Sequence, residues 1–140
     1  MRIVLDTSVI AAAFRGRRGA SNALLRLVAQ RKLRMLASPP LFLEYEDVLM
    51  RPDQRLVHGL SEAQVARSLA AMAALIEPVE IHFRWRPQTA DPGDEMVLEA
   101  ALNGRADALV TFNVRDFSSA APRFGLVIAT PREILERMEA

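Results

Sequence analysis

The chain has 140 residues, of which 51% are hydrophobic and 25% charged, a composition that predicts one globular domain over residues 1–140 and argues against disorder. Cysteine is absent, which excludes disulfides, thiolate metal sites and a thiol nucleophile. A formal net charge of +1 gives no overall positive field that would indicate nucleic-acid binding. The longest uncharged runs, such as 35–43 and 68–76, are too short to cross a bilayer, so we expect a cytoplasmic protein without a membrane segment.

The sequence begins with a short apolar run that ends in polar residues. Residues 3–5 (IVL) have the continuous apolar character of a strand buried on both faces. Asp6, Thr7 and Ser8 follow at the carboxyl end of this strand, where open parallel sheets bind their ligands. Taken alone, the triplet is equally consistent with a turn and a cap for the next helix, so both interpretations of Asp6 stay open at this point.

An arginine-rich loop separates the first two predicted helices. The pattern predicts helices over 9–14 and 20–30, a loop over 15–19 (RGRRG) and a second strand over 34–37. Arginine binds phosphate through two parallel hydrogen bonds, so the loop suits an RNA backbone, although biased codon usage would also explain it. The candidate RNA contacts are Arg15, Arg17 and Arg18.

The next predicted helix carries a run of polar residues. Ser38 as N-cap and Pro39 in the first turn predict its start, and Arg51-Pro52 predicts its end. The run at 44–47 (EYED) is typical of a solvent-exposed face, which is the simplest interpretation of Glu44.

The middle of the chain predicts one long helix and an irregular connection. A capping box, S-x-x-Q, begins an alanine-rich helix over 61–76. A strand is expected at 79–81, followed by an irregular connection over 82–88. Trp85 in this connection is interpreted as a buried anchor, with stacking on a base as the alternative.

The last third of the chain repeats the pattern of strand followed by polar residues. The segment 91–95 (DPGDE) has the N-cap, proline and acids of a helix N-terminus, and Gly104 is a plausible end of that helix. Strands are predicted at 108–111 and 126–129, and a capping box at 130–133 begins the last helix. An acid in the first turn of a helix beside the carboxyl edge of the sheet can also face a metal.

Alternating strands and helices predict a parallel sheet with helices on both faces. The segments that follow its strands share one edge, so four acids from four separate segments are expected to converge there. Carboxylates without His or Cys select Mg²⁺ or Mn²⁺, and such ions promote attack of water on a phosphodiester. The four acids are Asp6, Glu44, Asp94 and Asp116.

Four motifs along the chain carry a resemblance to a known family. They are VLDTSVI at 4–10, LEYEDVL at 43–49, DPGDEMVLEAAL at 91–102 and ADALVTFNVRDF at 106–117. Together they resemble PIN-domain proteins, in particular the toxin nucleases of VapC-like toxin–antitoxin pairs. The resemblance implies a three-layer α/β/α sandwich with a mostly parallel central sheet, a ribonuclease dependent on Mg²⁺ or Mn²⁺, a cognate antitoxin and a homodimer.

The resemblance also implies roles for individual residues. Asp6, Glu44 and Asp94 match the family's core metal-binding and catalytic acids, and Asp116 matches its more variable fourth acid. Asn113 departs from the family, because many members carry Asp there, and this argues against a fully occupied second metal site. The implied supporting residues are Thr7, Ser8, Asp91, Thr111 and Asn113.

Two other functions stay open. A catalytically weak PIN-fold module that binds RNA or protein would explain Asn113. A phosphatase or phosphotransferase of another α/β fold would use Asp6 as nucleophile, but Ser8 stands where such enzymes usually carry a second Asp. Thr7 and Ser8 are interpreted as supports for Asp6 and the first helix.

Overall fold

The computed structural model describes residues 1–84, 89 and 91–139 of the chain. Within them, strands and helices alternate along the chain, as the sequence predicts. The elements are β1 (Arg2–Leu5), α1 (Thr7–Arg15), α2 (Ala20–Ala29), β2 (Arg34–Ala37), α3 (Pro39–Met50), α4 (Pro52–His58), α5 (Glu62–Leu75), β3 (Glu77–Pro78), α6 (Pro92–Asn103), β4 (Ala108–Val110), α7 (Val114–Phe117), α8 (Ala121–Phe124), β5 (Val127–Ala129) and α9 (Pro131–Glu139).

The strands of the described residues form one parallel sheet in the order β3-β2-β1-β4-β5. Val4 at the centre of the sheet pairs with Leu36 on β2 and with Leu109 on β4. From β1 the chain proceeds outward to β2 and β3, and it then returns to the other side for β4 and β5. The direction of winding therefore changes between β1 and β4, and the carboxyl ends of such a strand pair flank the crevice in which open α/β sheets bind ligands.

Helices cover both faces of this sheet. Helix α6 packs across β1, β2 and β4, and α2 packs against α1 and α9. The side chains of Ile3, Val4 and Leu5 on β1 are completely buried, and burying a side chain of this size contributes about 1.5 to 3 kcal/mol. The predicted three-layer α/β/α sandwich is confirmed, with an all-parallel sheet in the described residues.

Local capping signals place the helix starts where the sequence predicts them. The Ser38 hydroxyl accepts a hydrogen bond from the backbone N–H of Leu41 at 3.3 Å. The Ser61 hydroxyl and the Gln64 side chain form the complete capping box at the start of α5. The carboxylate of Asp91 accepts from the backbone N–H of Gly93 at 2.7 Å and caps α6. These contacts satisfy backbone donors that have no partner within the helix.

Gly104 ends α6 as predicted, and close packing explains the glycine. A Cβ atom at this position would lie 2.8 Å from the carbonyl oxygen of Ala100, 2.9 Å from Val79 Cγ2 and 3.1 Å from Leu36 Cδ1. The backbone of Gly104 has an ordinary right-handed conformation with φ −83°. The close approach of α6 to the sheet, and not an unusual φ angle, therefore requires glycine here.

Two local predictions are wrong. Tyr45 is completely buried, although it lies in the polar run that was expected to face solvent. The third strand is Glu77–Pro78 and not 79–81, since beyond Pro78 only Val79 continues the contact, donating its backbone N–H to Ala37 at 3.0 Å. The short helices α4, α7 and α8 were not predicted.

Residues 82–84 contain no regular secondary structure, as expected for the connection, whereas Trp85 lies outside the described residues. Among the helices of the described ranges, none combines the length and apolar character that crossing a membrane requires.

Candidate active site

The carboxylate of Asp6 lies at the carboxyl end of β1 and is held by two hydroxyl groups. Thr111 Oγ1 donates to Asp6 Oδ2 at 2.7 Å, and Ser8 Oγ donates to the same oxygen at 2.9 Å. Asp6 occupies the N-cap position of α1 with an extended backbone, but its side chain makes no capping hydrogen bond. Only 6% of the surface of Asp6 is exposed. Even so, its Oδ1 atom accepts no hydrogen bond from a described residue. The capping interpretation of Asp6 therefore does not describe its side chain, which is oriented by Thr111 directly after β4 and by Ser8 in α1.

Thr111 is itself positioned by the loop that follows β4. Its hydroxyl accepts a hydrogen bond from the backbone N–H of Asn113 at 2.9 Å, so its own proton is directed to Asp6. The backbone N–H of Thr111 donates to Ala129 on β5 at 2.9 Å. The side chain of Asn113 is exposed, and this residue supports the site through its backbone N–H. Strand pairing and one side-chain bond thus connect segments 105 residues apart in the sequence.

Asp94 lies in the first turn of α6, where its charge is opposed by its surroundings. Burial raises the pKa of Asp94 to about 6, and the negative charges of Asp6, Asp91, Asp116 and Glu95 act in the same direction. These side chains are therefore close enough to interact electrostatically. An acid with a raised pKa beside other acids is typical of functional sites and of cation sites.

Asp116 reaches this acidic group from the short helix α7. The neighbouring Phe117 is completely buried and fixes α7 against the core, while Asp116 is exposed. The backbone N–H of Asp116 donates to the carbonyl of Asn113 at 3.0 Å, which keeps the turn after β4 compact. The loop after β4 therefore brings both the support of Asp6 and a further carboxylate to the same edge of the sheet.

Glu44 stands apart from the other three predicted acids. It lies on α3 and is partly buried, and in the described part of the chain it is not among the acids that raise the pKa of Asp94. The structure thus places Asp6, Asp94 and Asp116 in electrostatic contact and does not bring Glu44 into the same contact. No group of three or more Asp, Glu or His side chains in the described ranges is close enough to hold one metal ion.

Tyr45, next to Glu44, connects α3 to the site. Its hydroxyl donates to the carbonyl oxygen of Leu5, the residue directly before Asp6. Burial raises the pKa of the Tyr45 phenol, and the charge of Asp6 raises it further. Tyr45 therefore stays neutral and anchors the helix that carries Glu44 at the carboxyl end of β1.

Sequence reasoning missed Tyr45 and two buried acids on α6. Glu95 and Glu99 are each only 5% exposed, and Glu95 accepts a hydrogen bond from the backbone N–H of Thr89 at 2.8 Å. Their spacing of four residues puts them on one helix face beside the buried Leu98, which is the signal that could have identified them. The charge of Glu95 also raises the pKa of Asp94.

The remaining predicted residues are placed less closely. Thr7 begins α1 and is partly buried. Arg15, Arg17 and Arg18 are exposed, and the guanidinium of Arg26 donates to the carbonyl of Arg17 at 2.9 Å, which holds their loop against α2. Contact of these arginines with RNA stays a prediction.

Comparison with known proteins places this geometry in a family. The profile of the PIN domain matches residues 2–115. A chain in the crystal structure of VapBC2 from Rickettsia felis, bound to a DNA fragment from their promoter, has a similar fold with a TM-score of 0.63. The two chains are 14% identical, and the similarity covers 93% of this chain and 98% of that one. No curated protein sequence matches the chain. The profile match agrees with the four sequence motifs and with a sheet whose winding changes direction between β1 and β4. The chain belongs to the PIN-domain family.

Proposed function

We propose that this protein is a metal-dependent endoribonuclease that hydrolyses phosphodiester bonds with Asp6, Asp94 and Asp116 at its centre and Glu44 as a further acid. The observation that carries the proposal is the buried Asp6 carboxylate, oriented by Thr111 and Ser8, in electrostatic contact with Asp94 and Asp116. Membership of the PIN-domain family supports it.

The residues fit a divalent cation in donor type. Carboxylates and hydroxyl groups are the ligands of Mg²⁺ and Mn²⁺. Burial raises the pKa of Asp94 most, and a cation would balance the neighbouring negative charges that raise this pKa further. Asp6, Asp94 and Asp116 are the acids that would hold the ion, and because no three described acids lie close enough to coordinate one ion together, they would have to draw together on binding it. When bound, such an ion lowers the pKa of a water nucleophile and offsets the charge that develops on the phosphate.

The protein's own residues contribute orientation and charge. Thr111 and Ser8 fix Oδ2 of Asp6, and Oδ1 accepts no hydrogen bond from a described residue. Asp94, with its pKa near 6, can hold a proton or release it close to neutral pH. The arginines of the loop over 15–19 are exposed, and we propose that they bind phosphates of the substrate.

We further propose that the protein is the toxin of a toxin–antitoxin pair. Support comes from the fold it shares with a chain of the VapBC2 complex. The proposed partner is a small antitoxin. It would cover the acidic crevice, by which we mean the carboxyl edge of the sheet at Asp6, Asp94 and Asp116. A homodimer is proposed as the assembly. Light scattering of the purified chain, with and without a co-expressed partner, tests both associations.

Cleavage of RNA by the purified full chain tests the enzymatic proposal. We expect cleavage with Mg²⁺ or Mn²⁺, loss of cleavage with chelator, and at least a hundredfold slower cleavage by Asp6→Asn, as for loss of a central catalytic group. The effect of Glu44→Gln on cleavage tests the role of Glu44. Glu46→Gln, at an exposed position on the same helix, is the matched control. RNA cleavage that is unchanged by chelator and by Asp6→Asn would contradict the proposal.

A catalytically weak PIN-fold module is the second candidate. It is favoured by one observation, that no three acids of the described residues are close enough to hold a metal ion together. For this candidate we expect RNA or antitoxin binding by the wild-type chain that persists in chelator, and no cleavage of any RNA at saturating Mn²⁺.

A further inference from the structure

The amino edge of the sheet, opposite to Asp6, carries arginines that the proposed active site does not use. All strands of the described sheet are parallel, so their first residues lie at one edge. Arg2 begins β1 and Arg34 begins β2, and the two are register partners. Arg31 precedes β2 and Arg105 precedes β4, each in the turn that leads into its strand. We call this group the amino-edge arginines: Arg2, Arg31, Arg34 and Arg105.

Backbone hydrogen bonds keep these turns next to one another. The N–H of Arg34 donates to the carbonyl of Met1 at 3.0 Å on one side of β1. On the other side, the N–H of Asp107 donates to the carbonyl of Arg2 at 2.8 Å. The turns before β2 and β4 therefore flank Arg2, so the four arginines lie along one edge of the sheet.

Part of the positive charge on this surface is not balanced. Glu77 and Asp107 are the acids at the edge, and both contact Arg2: Glu77 Oε1 lies 3.5 Å from Arg2 Nη2, and Asp107 Oδ2 accepts the Arg2 backbone N–H at 2.7 Å. Within the described ranges, the ion pairs involve other cations, and the exposed side chains of Arg31, Arg34 and Arg105 have no acidic partner. Three cations of this edge are thus available to an external anion.

The backbone at two of these positions does not favour arginine. Arg31 has φ 61° and Arg105 has φ 52°, and they are the non-glycine residues of the described chain with positive φ. Glycine and asparagine adopt this left-handed conformation more readily than a long side chain does. Turn geometry therefore does not explain arginine at either position.

A cavity beside two of the arginines fits the same kind of partner. It has a volume of about 370 Å³ and lies between Arg31 and Arg34, with Leu33 and Ile76 among its apolar lining residues. Leu33 and Ile76 would give a ribose or base an apolar contact, and Arg31 and Arg34 would bind the adjacent phosphates. Glu77 also lines the cavity, and its carboxylate is the one paired with Arg2.

We propose that the amino-edge arginines form a second RNA-binding surface, which contacts the sugar–phosphate backbone remote from the acidic crevice. In taking RNA as the anion, the inference rests on the proposed function, but it does not depend on catalysis. A strand of four residues spans about 13 Å, so the amino and carboxyl edges are separated by at least the length of the strands. An RNA that contacts both must be long or folded, and long RNA is expected to bind more tightly than short oligonucleotides.

The salt dependence of RNA binding tests this surface. The variant combines Arg31→Asn, Arg34→Gln and Arg105→Asn, because asparagine tolerates the left-handed backbone at the two turn positions. Binding of a long labelled single-stranded RNA is measured between about 50 and 200 mM salt, in chelator and in the Asp6→Asn background, so that cleavage does not interfere. Each lost phosphate contact lowers the slope of log K against log salt by about 0.7, so we expect a decrease of about 2 for the triple variant.

A second triple variant controls for net charge. Arg67→Gln, Arg132→Gln and Arg137→Gln remove the same charge from exposed positions on α5 and α9, and the slope should stay at the value of the Asp6→Asn protein. Thermal unfolding verifies that every variant is folded. An unchanged slope for the amino-edge variant, or an equal decrease in the control, would overturn the inference. The two proposals can also be separated. If the wild-type protein cleaves no RNA, but the amino-edge variant and not the control shows a smaller slope of log K against log salt, the proposed ribonuclease activity is contradicted and the second RNA-binding surface is supported.

Discussion

Asp94 is held in an environment that opposes its negative charge. Burial is the largest contribution to its raised pKa, and the charges of Asp6, Asp91, Asp116 and Glu95 add to it. Because these acids come from three different segments, the effect exists only in the folded chain. The folded state therefore retains the proton of Asp94 at a pH where the unfolded chain has already released it.

This difference predicts how stability depends on pH. The pKa of Asp94 rises from 3.8 to about 6 on folding, so the folded state binds more protons than the unfolded state between these values. Without metal, the contribution of Asp94 to stability should decrease as pH rises from about 4 to about 6. Urea unfolding across this range should show a smaller decrease for Asp94→Asn than for wild type. Equal pH profiles of the two proteins would contradict the assignment, and Glu46→Gln controls for removal of an exposed acid.

Thr111 is expected to be required for the position of Asp6. Thr111→Val keeps the shape of the side chain but removes the hydrogen bond to the buried carboxylate, which should cost about 1 to 3 kcal/mol of unfolding free energy. Thr111→Ser retains the hydroxyl and should recover most of this loss. Urea unfolding measures the stability, and RNA cleavage should decrease in the same order. Equal stability of the Val variant and wild type would show that the bond contributes little.

At the scale of elements, local sequence signals predicted where helices begin more accurately than they predicted which residues the helices bury. Ser38, Ser61 and Asp91 act on their own helix within three residues, so the sequence alone contains the cause. Tyr45 is different, because it is buried by its bond to Leu5, 40 residues earlier in the sequence. The proline at position 52 was interpreted as the end of α3, whereas it is also the first residue of α4, where its fixed φ angle is suitable.

Gly104 fixes the distance between α6 and the sheet. In Gly104→Ala the added methyl group would lie 2.8 Å from the backbone oxygen of Ala100, which cannot move without disturbing the last turn of the helix. We expect a loss of about 1 to 3 kcal/mol in unfolding free energy, measured by urea denaturation. Gly16→Ala is the matched control, because no atom lies within 4 Å of the added methyl group. Equal effects of the two substitutions would contradict close packing at the end of α6.

At the scale of the whole molecule, the order of strands places the candidate site. The sequence predicted a parallel sheet with acids at one edge, and the structure adds that β1 and β4 are neighbours across the point where winding changes direction. This pairing could not be derived from periodicity, which does not specify which strands are adjacent. Periodicity also could not predict that Glu44 lies apart from the other acids, because the orientation of α3 depends on packing across the domain.

Metal binding should stabilise the whole domain if the acidic group is a cation site. A ligand that binds only the folded state adds about 2.7 kcal/mol at a concentration a hundred times its dissociation constant. We therefore expect Mn²⁺ or Mg²⁺ to raise the unfolding temperature of wild type, to a smaller extent in Asp6→Asn, and to reduce the pH dependence attributed to Asp94. Equal shifts in wild type and Asp6→Asn would indicate binding elsewhere, and Asp53→Asn on α4 serves as a control acid outside the site.

The hydrogen bond between Thr111 and Asp6 joins residues separated by 105 positions, and its support from Asn113 comes later still. A ribosome synthesises Asp6 at the beginning and this support only near the end of the domain. The carboxylate of Asp6, at the end of β1, is therefore oriented only after β4 and Thr111 have been synthesised and have packed. Contacts between residues so distant in the sequence form late and slowly. For the proposed ribonuclease, this order of synthesis delays assembly of the acidic crevice until translation of the domain is nearly complete.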